Sequence, residues 1–116
     1  MNVLNVDDST TMRKIVTLAL QGKGHTVREA SNGQKALDLI NDEGEPDLII
    51  LDINMPVMTG MEFLDAYSGK SAIIVLTTQY QDDLRRQALL KGAKAFLTKP
   101  FQKDDLLSVM QEIGLE

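Results

Sequence analysis

Five short apolar runs punctuate the chain, and they differ in pattern. Leu48 to Ile53 is apolar at every position except Asp52, and Ala72 to Thr77 is apolar up to its final threonine. Both patterns are what parallel strands covered on two faces require. Val3-Leu4-Asn5-Val6 is similar but interrupted by Asn5, which the sequence leaves without an explanation. Thr26 to Ala30 alternates Val27 with Arg28 and Glu29, which suits a sheet edge, and Lys94 to Thr98 supplies the last run. Between the runs the period changes to that of a helix. Met12, Ile15, Val16 and Ala19 follow the candidate N-cap Ser9 and stop at Gly22-Lys23-Gly24. Ala36, Leu37 and Ile40 follow the Asn32-Gly33 turn and break before Pro46. Gly60 to Tyr67 carries Phe63, Leu64 and Tyr67, and Asp82 to Lys91 is closed by Gly92. Lys103 to Ile113 points Leu106, Leu107, Met110 and Ile113 inward.

Strict strand–helix alternation predicts an α/β fold: a doubly wound, five-stranded parallel sheet with right-handed crossovers and helices on both faces. Ligands of such sheets bind outside the carboxyl ends of the strands. Composition narrows this only slightly. At 116 residues the chain is read as one domain, 1–116, with no linker tract or internal repeat. No Cys is present, which excludes disulfides, thiolate metal sites and cysteine nucleophiles. A net charge of −5 without a basic stripe argues against nucleic-acid binding. No apolar stretch resembles a signal sequence or a membrane span, so a cytoplasmic protein without membrane insertion is expected.

The residues just past the runs carry the chemistry. Asp7 and Asp8 follow the first, Asp52 lies in the third, Thr77 ends the fourth and Lys99 follows the fifth. Taken singly, each has a plain structural role: the Asp pair can cap a helix, Thr77 is an ordinary strand residue, and Lys99 can be a solvated loop residue. A carboxylate at Asp52, next to a core strand, is costly without a partner. Jointly, five such residues at strand ends on one side outline a metal-assisted phosphate site. Asp52 is placed to act as nucleophile toward a phosphoryl group, with Asp7 and Asp8 holding Mg²⁺, a hard cation suited to oxygen ligands. Lys99 and the Thr77 hydroxyl would meet phosphoryl oxygens. Phosphoryl transfer asks mainly for positioning and charge stabilisation, so no separate general base is needed. Asn54 and Gln79, neutral amides two residues beyond Asp52 and Thr77, would flank the path of a hydrolytic water and tune dephosphorylation.

Asp7-Asp8, Asp52 with Asn54-Met55-Pro56, Thr77, and Lys99-Pro100-Phe101, in that order over the whole chain, resemble the receiver domain of bacterial two-component response regulators. Val6 to Val16 further resembles the single-domain chemotaxis subgroup, the CheY-like proteins. The resemblance implies strand order 2-1-3-4-5 and transfer of phosphate to Asp52 from a histidine kinase or phosphotransfer protein. It implies direct Mg²⁺ ligation by Asp8, Asp52 and the Asn54 carbonyl, with Asp7 acting mainly through metal-bound water. It also implies a cis Lys99-Pro100 bond. Thr77 and Phe96 become the switch residues, remodelling the face of the fourth helix, fifth strand and fifth helix on which an output protein docks. Such a domain is a monomeric switch and catalyses only its own phosphorylation and dephosphorylation. It would act alone or as a receiver excised from a larger regulator.

Two departures stand out: Phe96 occupies the place of a family tyrosine, and Asn5 interrupts the first strand. His25, in the turn before the second strand, is expected to face solvent and not to be a phosphohistidine site. A haloacid-dehalogenase-type phosphatase would share an Asp nucleophile, Mg²⁺, Thr and Lys, but places an acidic residue where this chain has Asn54. A flavodoxin-like cofactor binder is disfavoured by the acidic first loop and the lack of a Gly-rich one.

Overall fold

A computed structural model of the chain describes residues 1–78, 81–99 and 102–114. It alternates β1 (Asn2–Val6), α1 (Thr10–Gln21), β2 (Thr26–Ala30), α2 (Gly33–Glu43), β3 (Leu48–Leu51), α3 (Gly60–Ala66), β4 (Ala72–Thr77), α4 (Asp82–Leu90), β5 (Ala95–Thr98) and α5 (Lys103–Glu112). All pairings are parallel and the sheet order is β2-β1-β3-β4-β5, as expected. β3 ends two residues earlier than its apolar pattern suggests, because the chain turns into a loop once Asp52 has made its last ladder bond, its N–H donating to the Val6 carbonyl at 3.0 Å.

Alternation within the strands divides the core into two layers. Leu4, Val6, Ile49, Leu51, Ile73 and Val75 face α2, α3 and α4, where Phe63 is fully buried. Val3, Leu48, Ile50, Ile74 and Leu76 face α1 and α5 through Val16, Leu20, Leu106 and Met110. Loss of the Phe63 ring would cost about 3–5 kcal/mol through transfer and cavity formation.

The first helix sits differently from its apolar pattern. Ser9 caps it as expected, accepting from the Met12 N–H at 3.2 Å. Its buried stripe, however, is Val16, Thr17 and Leu20, and Ile15 is 54% exposed. The helix is rotated because Asn5, buried in β1, binds it: Asn5 Nδ2 donates to the Arg13 carbonyl at 2.9 Å and to Thr17 Oγ1 at 3.1 Å. A polar strand residue is thus matched by a polar helix position, and the amide escapes the penalty of an unpaired buried group. His25 is also not simply solvent-facing. It is half-buried, with Nδ1 3.2 Å from the N-terminal ammonium.

Candidate functional site

Three of the candidate charged residues, Asp7, Asp52 and Lys99, stand one position past a strand with their main chain still in the sheet ladder. The Asp7 N–H donates to the Ala30 carbonyl at 3.1 Å, that of Asp52 to Val6, and that of Lys99 to the Thr77 carbonyl at 2.7 Å. Backbone pairing that would have continued a strand instead pins the roots of three candidate side chains, so the strand ends place them on a rigid frame.

The side chains converge. Asp7, Asp8 and Asp52 each offer a carboxylate oxygen, and these oxygens lie within 4.8 Å of one another. Asp7 and Asp52 are buried and Asp8 is exposed, so the cluster opens on its Asp8 side. Lys99, itself buried, sets its Nζ 2.7 Å from Asp7 Oδ2 and 4.0 Å from Asp52 Oδ2. The ammonium therefore pairs first with Asp7, an arrangement the sequence reading did not anticipate. One lysine among three carboxylates leaves an excess of negative charge in a partly water-excluded place. Burial pushes the Asp52 carboxyl above the usual carboxylate range. Lys99 opposes the rise, Asp7 adds to it, and the amides of Asn54 and Ile53 oppose it. An all-oxygen, surplus-acidic donor set is what a hard divalent cation takes, and Mg²⁺ fits it.

Around this cluster, Asp52 Oδ1 accepts from the Ile53 N–H at 2.8 Å and more weakly from that of Asn54 at 3.5 Å. Oδ2 is the oxygen turned toward Lys99. Asp7 Oδ1 accepts from the Ser9 N–H at 2.9 Å. Thr77 ends β4 fully buried, and Thr98 lies beside it in register on β5. Phe96 is half-buried and packs against the layer beneath α2, α3 and α4. Edge packing is thus a sufficient account of its resting position. Gln79 and the Lys99-Pro100 bond, expected to tune dephosphorylation and to be cis respectively, involve residues outside those described.

Gly60 belongs to the site although its sequence position marked only a helix start. A Cβ there would stand 2.5 Å from the Asp52 carbonyl oxygen and 2.7 Å from Ile53 Cα. The start of α3 therefore rests directly on the main chain that carries Asp52, and the Gly60 N–H donates to the Ile53 carbonyl at 2.9 Å. Thr59 and Glu62 close a capping box over the same turn.

Residues 3–111 match the family model for the response regulator receiver domain. The chain is 32% identical over 114 residues to the chemotaxis protein CheY of Halobacterium salinarum, covering 96% of this chain and 94% of that one. It is 34% identical to the CheY of Listeria monocytogenes, with 97% of each chain covered. Among solved structures, CheY4 of Vibrio cholerae superposes with a TM-score of 0.87 at 37% identity, again over 97% of each chain.

Proposed function

Because this chain belongs to the family of response regulator receiver domains, we propose that it is a switch set by phosphorylation of Asp52 in two-component signalling, in chemotaxis or a related pathway. The observation that carries the reading is that one buried carboxylate, Asp52, shares a cluster with the Asp7 and Asp8 carboxylates and has the Lys99 ammonium 4.0 Å from its Oδ2. In the proposed reaction Asp52 Oδ2 attacks the phosphorus of a phosphohistidine on a histidine kinase or phosphotransfer protein. The P–N bond breaks, its electron pair leaves with the imidazole, and an aspartyl phosphate forms. Oδ2 is the better-placed oxygen, since Oδ1 already accepts from the Ile53 amide. Asp8, Asp52 and the Asn54 carbonyl would hold Mg²⁺, with Asp7 outside the direct ligands. When bound, the ion offsets the charge on the phosphoryl oxygens. Lys99 would exchange Asp7 for a phosphoryl oxygen, and the Thr77 hydroxyl would donate to another.

The consequence is a changed surface. Thr77 drawn toward the phosphoryl group leaves space that the Phe96 ring can fill, and the face of α4, β5 and α5 is then presented differently to an output protein. Phe96 has no hydroxyl, so burial alone favours its inward position. We read the protein as a cytoplasmic monomer that does not turn over an external substrate. A second reading has support as well: the chain is 34% identical to the phosphate regulon regulator PhoB of Pseudomonas aeruginosa while covering 50% of that protein. On that reading the domain is a receiver of a larger regulator, with the same chemistry at Asp52.

Acetyl phosphate with Mg²⁺ should add one base-labile phosphoryl group on Asp52, seen as a single mass increment. The increment should vanish in Asp52→Asn, and equal labelling of that variant would place the acceptor elsewhere. Asp8→Asn should weaken Mg²⁺ binding sharply, whereas unchanged affinity would remove Asp8 from the ligands.

A further inference from the structure

Asn5, the residue that breaks the first apolar run, has a route to the metal site. It lies in a strand paired on both sides, in register with Glu29 on β2 and Ile50 on β3. Its single amide group donates to the Arg13 carbonyl and to Thr17 Oγ1, acceptors one turn apart on α1. Two such bonds fix both the rotation and the height of the helix against the strand. Arg13, held by its main chain, sends its side chain back toward the strand end. There Nη1 donates to the Asp7 carbonyl at 2.7 Å while Nε pairs with Glu29 Oε1 at 2.7 Å. The Arg13 side chain is only 16% exposed. The ring of contacts leaves β1 at Asn5 and returns to the chain at Asp7, immediately before Asp8.

We infer that Asn5 and Arg13 are positioning residues that preset the loop carrying Asp7 and Asp8, and so set how tightly the site takes a divalent cation. The inference rests on the metal reading above. The chemistry of Arg13 is specific: a planar fork can give one N–H to Glu29 and another to a carbonyl, whereas a lysine offers a single point of charge. Charge alone predicts the opposite sign. A cation beside an acidic cluster opposes Mg²⁺, so its removal should tighten binding if Arg13 acted only electrostatically.

The test is a Mg²⁺ titration of the whole protein followed by amide shifts at Asp8 and Asn54, in wild type, Arg13→Lys, Arg13→Ala and Asn5→Val. Urea unfolding and amide exchange are measured on the same metal-free samples. Each variant should bind Mg²⁺ roughly tenfold more weakly, the scale expected for partners that orient metal ligands. Asn5→Val should unfold at a urea concentration no lower than wild type, because Thr17 can turn its hydroxyl to the Arg13 carbonyl within the helix. Affinity would then fall without stability, a split that a merely structural role does not produce. Exchange at the Asp8 and Ser9 amides should quicken about tenfold in Arg13→Lys and Asn5→Val without any metal, in line with that loss of affinity. Affinity equal to or tighter than wild type in both variants, or unchanged exchange at those amides, overturns the inference. Wild type that fails to bind Mg²⁺ overturns instead the metal reading, and the exchange rates still decide whether Asn5 and Arg13 hold the loop.

Discussion

After β1, the acidic loop is held by hydrogen bonds: the Asp7 carbonyl accepts from Arg13, its carboxylate accepts from Ser9 and Lys99, and Asn5 ties the helix that carries Arg13. After β3, the loop that carries Asp52 is held by close packing as well as by hydrogen bonds such as that from the Gly60 N–H to the Ile53 carbonyl. Gly60 admits the start of α3 within a distance that no side chain could occupy, and Met58 lies where a Cβ on Gly33 would stand, 2.8 Å from Met58 Cγ. The second loop also stores strain. Val57 has φ 68°, and the Met58 N–H donates back to the Pro56 carbonyl at 2.7 Å. An i to i+2 bond across a residue of positive φ is the rarer, strained γ-turn, and Val57 is β-branched and 79% exposed, so nothing in its own packing favours it. Polar ties can lengthen and re-form as charge changes at the site, whereas a steric seat can only be kept or lost. Asp52, the proposed nucleophile, occupies the seat, and the Asp7–Asp8 pair occupies the adjustable loop.

The largest effect separating the two loops should come from the seat. Gly60→Ala must push apart the Asp52 carbonyl and the first turn of α3, and neither is a flexible side chain that can swing aside. A loss of about 1–3 kcal/mol is expected from overpacking. Urea unfolding measures it, and phosphoryl labelling of Asp52 should slow in parallel. A Gly60→Ala protein with wild-type stability and labelling would show that the close approach relaxes freely. On the other loop, Ser9→Ala removes one cap and should cost about 1 kcal/mol while leaving Asp52 labelling detectable. Comparison of labelling rates in the two variants, at matched fractions folded, asks whether shape or hydrogen bonding governs the proposed reactivity of Asp52.

The strained turn should respond with the opposite sign. Val57→Gly removes the penalty for a β-branched residue at positive φ, offset in part by the greater freedom of glycine in the unfolded chain. A net gain of about 1 kcal/mol is expected. Unchanged or lower stability would mean that Val57 makes contacts that repay its conformation.

How much of this was legible in the sequence follows from the same contrast. Strand-end carboxylates, the lysine and the alternation that brings them together depend on period and order, which a single sequence displays. The rotation of α1 does not, because Ile15 and Val16 look equally suited to the core until Asn5 is seen to claim Thr17 and the Arg13 carbonyl. The Lys99–Asp7 pairing was missed for a related reason: which of three carboxylates lies nearest the ammonium depends on distances, which are not a property of spacing. Gly60 and Val57 matter through a clash and a dihedral angle, and nothing in their neighbours' identities signals either.

The smallest effect concerns protons at the seat itself. Burial raises the Asp52 carboxyl above its ordinary range, and Asp7 adds to the rise. The folded protein therefore holds that proton more tightly than the unfolded chain, so stability must fall as pH rises from the ordinary carboxylate value through the raised one. Asp52→Asn carries no such proton and should be the more stable protein at neutral pH in the absence of metal, with the carboxylate repulsion relieved. The difference between the two should shrink as the pH is lowered through that window, since wild type then becomes neutral at the same position. Urea midpoints of both proteins, measured in a chelator across the acidic range, isolate the effect because the other titrating groups are common to both. A difference that stayed constant with pH, or that favoured wild type at neutrality, would mean that Lys99 compensates Asp52 fully. The ammonium would then have to be shared between the two buried carboxylates, despite lying 2.7 Å from Asp7 and 4.0 Å from Asp52.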